Sequence, residues 1–226
     1  IDGTGKIQAD CGGIVAADFS TGAGTRQAIT INENTIQYNA NRGILARGGN
    51  AIVNVNRNTL TNNGGDPYGL GGNDGFGIIG HKNVQLNIWN NFITIPASVS
   101  GGYNVSAMAI FNGASITATE NNLDQNGNTS SWLANNMDNT GTFTATCNWY
   151  GSSDATTVSS KVNGSVTYAN WLVDGTDDDA GTSGFQPVSG SCIGSVITLT
   201  CASDKTEAAC QTQASINTSF NNWLLT

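Results

Sequence analysis

The chemistry open to a protein is set by its ionisable and nucleophilic side chains, and this 226-residue chain offers few: 16 Asp and Glu, 8 Lys and Arg, five Cys and one His. Two carboxyl groups on one face could act as acid and base on a glycosidic bond, which for inversion requires a separation of about 6.5–9.5 Å. In the central part of the chain the candidates are Glu33, Asp66, Asp74, Glu120, Asp124 and Asp138. A denser run, Asp174, Asp177, Asp178 and Asp179, could hold calcium, a hard cation that takes oxygen ligands. Its spacing lacks the alternation and closing Glu of an EF-hand loop, so a solvated acidic turn is the default reading. The cysteines (Cys11, Cys147, Cys192, Cys201, Cys210) form no CxxC pair, and with His81 alone a zinc site lacks ligands.

What positions these groups is a repeat. The pattern apolar, x, apolar, x, x, Asn, x, apolar occurs five times, with key residues Asn34, Asn58, Asn91, Asn121 and Asn148. Alternate apolar residues, as in Ile29-Thr30-Ile31 or Val53-Asn54-Val55, describe a short strand with one buried face. The Asn then falls at a corner, where it tolerates left-handed backbone and can bond to neighbouring backbone. The next apolar residue (Ile36, Leu60, Ile93, Leu123, Tyr150) opens another inward-facing strand. A second apolar run follows in most copies: Gly43–Ala46, Gly77–Ile79, Ala107–Ile110 and Trp132–Ala134. Repeats of this kind predict stacked coils with an Asn ladder, in preference to an antiparallel sandwich with Asn-rich hairpins.

Over residues 1–150 these repeats resemble right-handed parallel β-helix proteins with NosD- and pectate-lyase-like repeats, which implies an all-β solenoid. The segment Asn148-Trp149-Tyr150-Gly151, with Tyr168, Trp171 and Gly184-Phe185-Gln186, resembles a closing module found after bacterial β-helices. That places an aromatic-rich cap over 151–190, with Trp149, Tyr168, Trp171 and Phe185 covering the apolar end. The run Leu199-Thr200-Cys201…Ala209-Cys210-Gln211-Thr212-Gln213 resembles the opening of repeat domains in giant Bacteroidota surface adhesins, exported by the type IX secretion system. Residues 191–226 then read as a linker and the start of a β-sandwich-like repeat, and the chain as a mature or internal fragment. Pairing is not derivable from sequence; Cys147–Cys192 is proposed as the bridge from last coil to cap, leaving Cys201 and Cys210 to pair together or elsewhere.

The fold hosts both enzymes and adhesins, so the site must decide. A polygalacturonase-type set is not reproduced: Gly80-His81-Lys82 matches one piece, and no Asp-Asp pair lies within the coils. Glu33 and Glu120 share an edge but are three coils apart. The step from ladder Asn to next apolar strand is 10 positions (Asn34 to Ile44) and 11 (Asn121 to Trp132), but 20 (Asn58 to Ile78) and 18 (Asn91 to Ala109) in the middle coils. The two longer loops leave one corner side by side, and carry Asp66, Tyr68, Asn73, Asp74, Tyr103 and Asn104, suited to a sugar by ring stacking and polar contacts. Outward Thr117, Thr119, Thr144 and Thr146 form a Thr-x-Thr array that earlier coils do not sustain, read as a solvated face.

Composition narrows the class further. A net charge of −8 with 11% charged residues leaves no basic surface for nucleic acid, and no apolar stretch is long enough for a membrane span. Cysteines in an acidic, Lys-poor chain fit an oxidising compartment. The expectation is a non-enzymatic adhesin segment, secreted or on the outer surface of a Gram-negative cell, with a polysaccharide lyase or glycoside hydrolase as rival. Its partners would be a surface glycan or other extracellular ligand, and secretion-system components; calcium is the one cofactor candidate.

Overall fold

A computed structural model of the chain describes residues 12–18, 27–49, 51–65, 74–99, 104–194 and 212–223. Within it the alternating apolar runs become β2 (Gln27–Asn32), β5 (Ala51–Asn56), β8 (Gln85–Trp89), β11 (Ser115–Thr119) and β14 (Phe143–Thr144), after β1 (Ile14–Ala17). The short strands following each corner are β3 (Thr35–Gln37), β6 (Thr59–Thr61), β9 (Phe92–Thr94) and β12 (Asn122–Asp124). The second apolar runs are β4 (Arg42–Arg47), β7 (Asp74–His81), β10 (Asn104–Phe111) and β13 (Trp132–Asn136). Each set stacks as a parallel sheet, β1-β4-β7-β10-β13-β15, β2-β5-β8-β11-β14-β16 and β3-β6-β9-β12, where β15 is Val162–Asn163 and β16 Val166–Thr167. The fold is a parallel β-solenoid of about four turns.

The two longer sheets differ in a way the sequence already encodes. In the β5 sheet, inward Val53, Val55, Leu86 and Ile88 alternate with outward Asn54, Asn56, Asn87 and Trp89. In the β7 sheet the apolar runs are continuous because both faces are covered. Ile44, Ile78, Met108 and Ala134 stack in register in the main core, while Leu45, Ile79 and Ala109 stack beside them, Leu45 and Ile79 in a second cluster with Phe76.

The corner between the β5 and β6 sheets carries the ladder. Asn34 Nδ2 donates to Asn58 Oδ1 (3.1 Å), Asn58 to Asn91 (3.0 Å), Asn91 to Asn121 (2.8 Å) and Asn121 to Asn148 (2.8 Å). Each acceptor oxygen also takes the backbone N–H of the Asn one coil earlier, at 2.9–3.0 Å. The left-handed residue, however, is not the Asn but its predecessor: Glu33, Arg57, Asn90, Glu120 and Cys147 have φ between 53° and 56°. That twist turns the chain, and the following Asn is delivered inward, where Asn58, Asn91, Asn121 and Asn148 are fully buried. A second, two-rung ladder escaped the sequence reading: Asn39 Nδ2 donates to Asn63 Oδ1 (2.9 Å) at the next corner.

After the last coil, α1 (Ala155–Ser160) is capped by Asp154, and β17 (Trp171–Leu172) pairs antiparallel with β18 (Cys192–Gly194). The end of the core is closed by Tyr150 and Trp171, 0% and 1% exposed, with Tyr168 packed alongside. Residues 151–194 belong to the same compact unit as the coils. In the second unit, the described residues 212–223 contain the helix α2 (Gln213–Trp223); Cys201 and Cys210, like Cys11 and most of the expected β-sandwich start, lie outside the described residues.

Two predictions follow from ladder and cap. Asn91→Ala removes donors and an acceptor inside a fully buried stack, which costs about 2–4 kcal/mol. The urea midpoint reads this against Asn87→Ala on the outward face, expected to be near neutral. The buried Tyr150 hydroxyl donates to Ala145 O at 2.6 Å, and burial pushes its pKa well above the usual value of 10.0. The folded state therefore holds the phenol proton more tightly. Its stabilisation is whole below pH 10 and declines above it by about 1.4 kcal/mol per unit. Tyr150→Phe should flatten this alkaline loss while costing about 1 kcal/mol at neutral pH.

Candidate functional site

The extra loops leave the corner between the β6 and β7 sheets in adjacent coils, running from β6 to β7 and from β9 to β10. Register corrects their counted lengths, because the partners of Ile44 and Ile78 are Met108 and Ala134, not Ala109 and Trp132. Asp74 and Asn104 open β7 and β10 as direct register partners, so this pair is brought together. Asp66, Tyr68, Asn73 and Tyr103 lie outside the described residues.

At the same corner, one coil further on, is a cavity of about 320 Å³ between Ser98 and Val99 on one side and Gly127, Asn128, Thr129 and Ser130 on the other. Among the described residues, no ionisable side chain lines it. Asn128 holds its walls together by donating through Nδ2 to Pro96 O (3.0 Å). Beyond it, Ser131 Oγ accepts from Val105 N (3.0 Å), locking the connection to β13 against β10. The sequence reading passed over 125–131 because the loop is short; its Asn/Thr/Ser cluster was the signal.

The acidic run takes part in turns. Asp174 Oδ1 accepts from Thr176 N (2.9 Å), Asp177 Oδ1 from Gln186 N (2.8 Å), and Asp179 from Gly181 N and the Thr182 hydroxyl (3.1 and 2.6 Å). The Thr176 N–H holds the Asp174 pKa below its usual value, and the Thr182 hydroxyl does the same for Asp179. Asp178 enters through its backbone, N–H to Gln186 O (2.7 Å). These residues shape turns, and no group of three or more Asp, Glu, His or Cys that could hold a metal occurs among the described residues.

The turns build a strap. Leaving the cap, it meets the fourth coil where Asn122 Nδ2 donates to Gly175 O (3.1 Å). It then docks on the third, where Asn90 and Phe185 exchange hydrogen bonds of 2.8 and 2.9 Å. Phe185 is fully buried, edge-on to Phe92 at 5.5 Å. It thus clamps the outer flank of the coils, where the sequence placed it over their end. The Cys147–Cys192 disulfide, Cα–Cα 5.0 Å, returns the strap to the ladder corner.

Among the described residues, carboxylates within the coils are dispersed. Glu33 lies 3.8 Å from Arg57, both about half exposed, an ion pair worth little in water. Asp138 accepts from Asn112 N (2.7 Å). Glu120 sits at the ladder corner three coils from Glu33, about 14 Å at strand spacing and too wide for paired acid–base work. On the outer face of the β5 sheet, Thr30, Asn54, Asn87, Thr117, Thr144 and Thr167 form one register row, uncharged throughout. Comparison with known proteins gives no match at all: no family, no curated protein and no solved structure resembles this chain closely enough to inform its function. No helix among the described residues is long and apolar enough to cross a membrane.

The strap's seat can be tested through Gly184, whose φ is +78° and where a Cβ would overlap the Asn90 carbonyl and Arg57 Cα. Gly184→Ala should undock Phe185, open a chymotrypsin cut after that residue, and cost about 2 kcal/mol. Limited proteolysis with the disulfide intact reads the change; equal resistance in both proteins would contradict the clamp.

Proposed function

We propose that this chain is a non-enzymatic attachment or display segment of a large secreted or cell-surface adhesin, with right-handed coils, carried to the outer surface of a Gram-negative cell by type IX export. Contact with uncharged carbohydrate would occur at the loop-bearing corner. The observation that carries this reading is the cavity at that corner: among the described residues it is lined by hydroxyl, amide, apolar and backbone groups and by no ionisable side chain. Such a lining suits a neutral sugar, whose hydroxyl groups both donate and accept, and gives an acid–base reaction nothing to work with. In the sequence the longer loops carry Tyr68 and Tyr103, aromatic rings of the kind that stack on sugar faces. A rigid scaffold behind the loops supports the same reading, since the ladder and disulfide hold the coils that bear them.

A glycan array probed with the chain should retain neutral glycans. Ser98→Trp, which fills the cavity, and the double variant Tyr68→Ala/Tyr103→Ala should each weaken retention by at least about tenfold, a loss of about 1.4 kcal/mol. Retention undiminished in both variants would remove the corner from consideration. Retention of no glycan at all would end the carbohydrate reading.

A further inference from the structure

We infer that Asn126 is a site of spontaneous deamidation, selected by the fold from four Asn-Gly pairs at 63–64, 112–113, 126–127 and 163–164. In this reaction the backbone nitrogen of the glycine attacks Cγ of the preceding Asn. The N–Cγ bond forms, the Cγ–Nδ2 bond breaks, and ammonia leaves with the proton from the glycine nitrogen. Water then opens the succinimide at either carbonyl, giving aspartate or isoaspartate. The step needs a glycine N–H that nothing holds and an Asn side chain free to turn toward it.

Three pairs fail one requirement or the other. Asn63 is 1% exposed, accepts from Asn39 and donates through Nδ2 to Ile36 O (2.8 Å), while Gly64 N donates to Asn39 O (2.8 Å). Asn112 is exposed, but Gly113 N is committed to Thr140 Oγ1 (2.8 Å). Asn163 gives its Nδ2 to Asn135 Oδ1 (2.9 Å), and Gly164 is packed against the Asn136 carbonyl.

The fourth pair meets both. Asn126 is exposed and its side-chain amide makes no hydrogen bond; Gly127 has no atom within 4 Å of where a Cβ would stand, and its N–H has no partner. Both residues have positive φ, 51° and 79°, in a turn closed by Asn128 N donating to Gln125 O (2.8 Å). That turn leads into the cavity wall, so the product matters structurally. It sets a new carboxylate beside Asp124, which already accepts the Asn126 N–H at 2.8 Å, and isoaspartate lengthens the turn by one backbone methylene. The chemistry is independent of what the cavity binds.

The test is peptide mapping by mass spectrometry of the folded chain aged in warm buffer near about pH 8.5, reading the gain of about 1 Da and the isoaspartate content at each pair. Asn126 should convert first in the folded chain, all four pairs should convert in urea, and Gly127→Ala should slow the reaction at 126 by an order of magnitude. Conversion of Asn112 or Asn163 as fast as Asn126 in the folded chain, or an unchanged Asn126 where the unfolded chain reacts, would overturn the assignment.

Discussion

Everything in this solenoid hangs on one exchange, the amide-to-amide hydrogen bond passed from each coil to the next at a single corner. An apolar interior alone would tolerate one coil sliding over another, because inward Ile and Val side chains of similar size are nearly interchangeable along a sheet. The ladder removes that freedom. An amide is both donor and acceptor, so identical residues can satisfy each other in series, which neither a carboxylate nor a hydroxyl can do with the same reach. Each rung also takes the backbone N–H of the rung before it, leaving few buried polar groups unpaired at a turn that would otherwise be a liability. The left-handed residue before each Asn performs the turning, so bending and stacking are divided between neighbours.

A ladder must end, and the C-terminal segment shows how. Asn148 accepts from Asn121 and directs its own Nδ2 to Ala118 O and Thr146 O, so the last rung closes on backbone. Tyr150 and Trp171 then shield the apolar interior. The chain turns back as a strap along the ladder corner, with Phe185 against Phe92 and the disulfide fastening its return. The aspartates of the acidic run fold this strap, which accounts for their density in a segment that carries little else of charge.

The same economy of charge shapes the functional reading. Among the described residues of the coils, acidic side chains are few, Glu33 and Asp138 are engaged in corner or turn contacts, and the cavity at the loop-bearing corner has no ionisable lining. What distinguishes one corner of the solenoid is loop length, a property that leaves the coils unaltered while adding surface.

The sequence by itself determined the solenoid, its ladder residues Asn34, Asn58, Asn91, Asn121 and Asn148, its strand positions and the contrast between alternating and continuous apolar runs. These are local patterns with a fixed period, and a period survives translation into geometry. It also determined the corner from which the longer loops depart. Only the tertiary structure decided which residue at each corner is left-handed, that Phe185 clamps a flank, that the aspartates build turns, and that 97–99 meet 127–130 around a cavity. The Phe185 clamp and the cavity depend on contacts 95 and 32 residues apart, with no repeat in the sequence to announce them. The Cys147–Cys192 pairing belongs with them: five cysteines allow many partners, and proximity across 45 residues selects one.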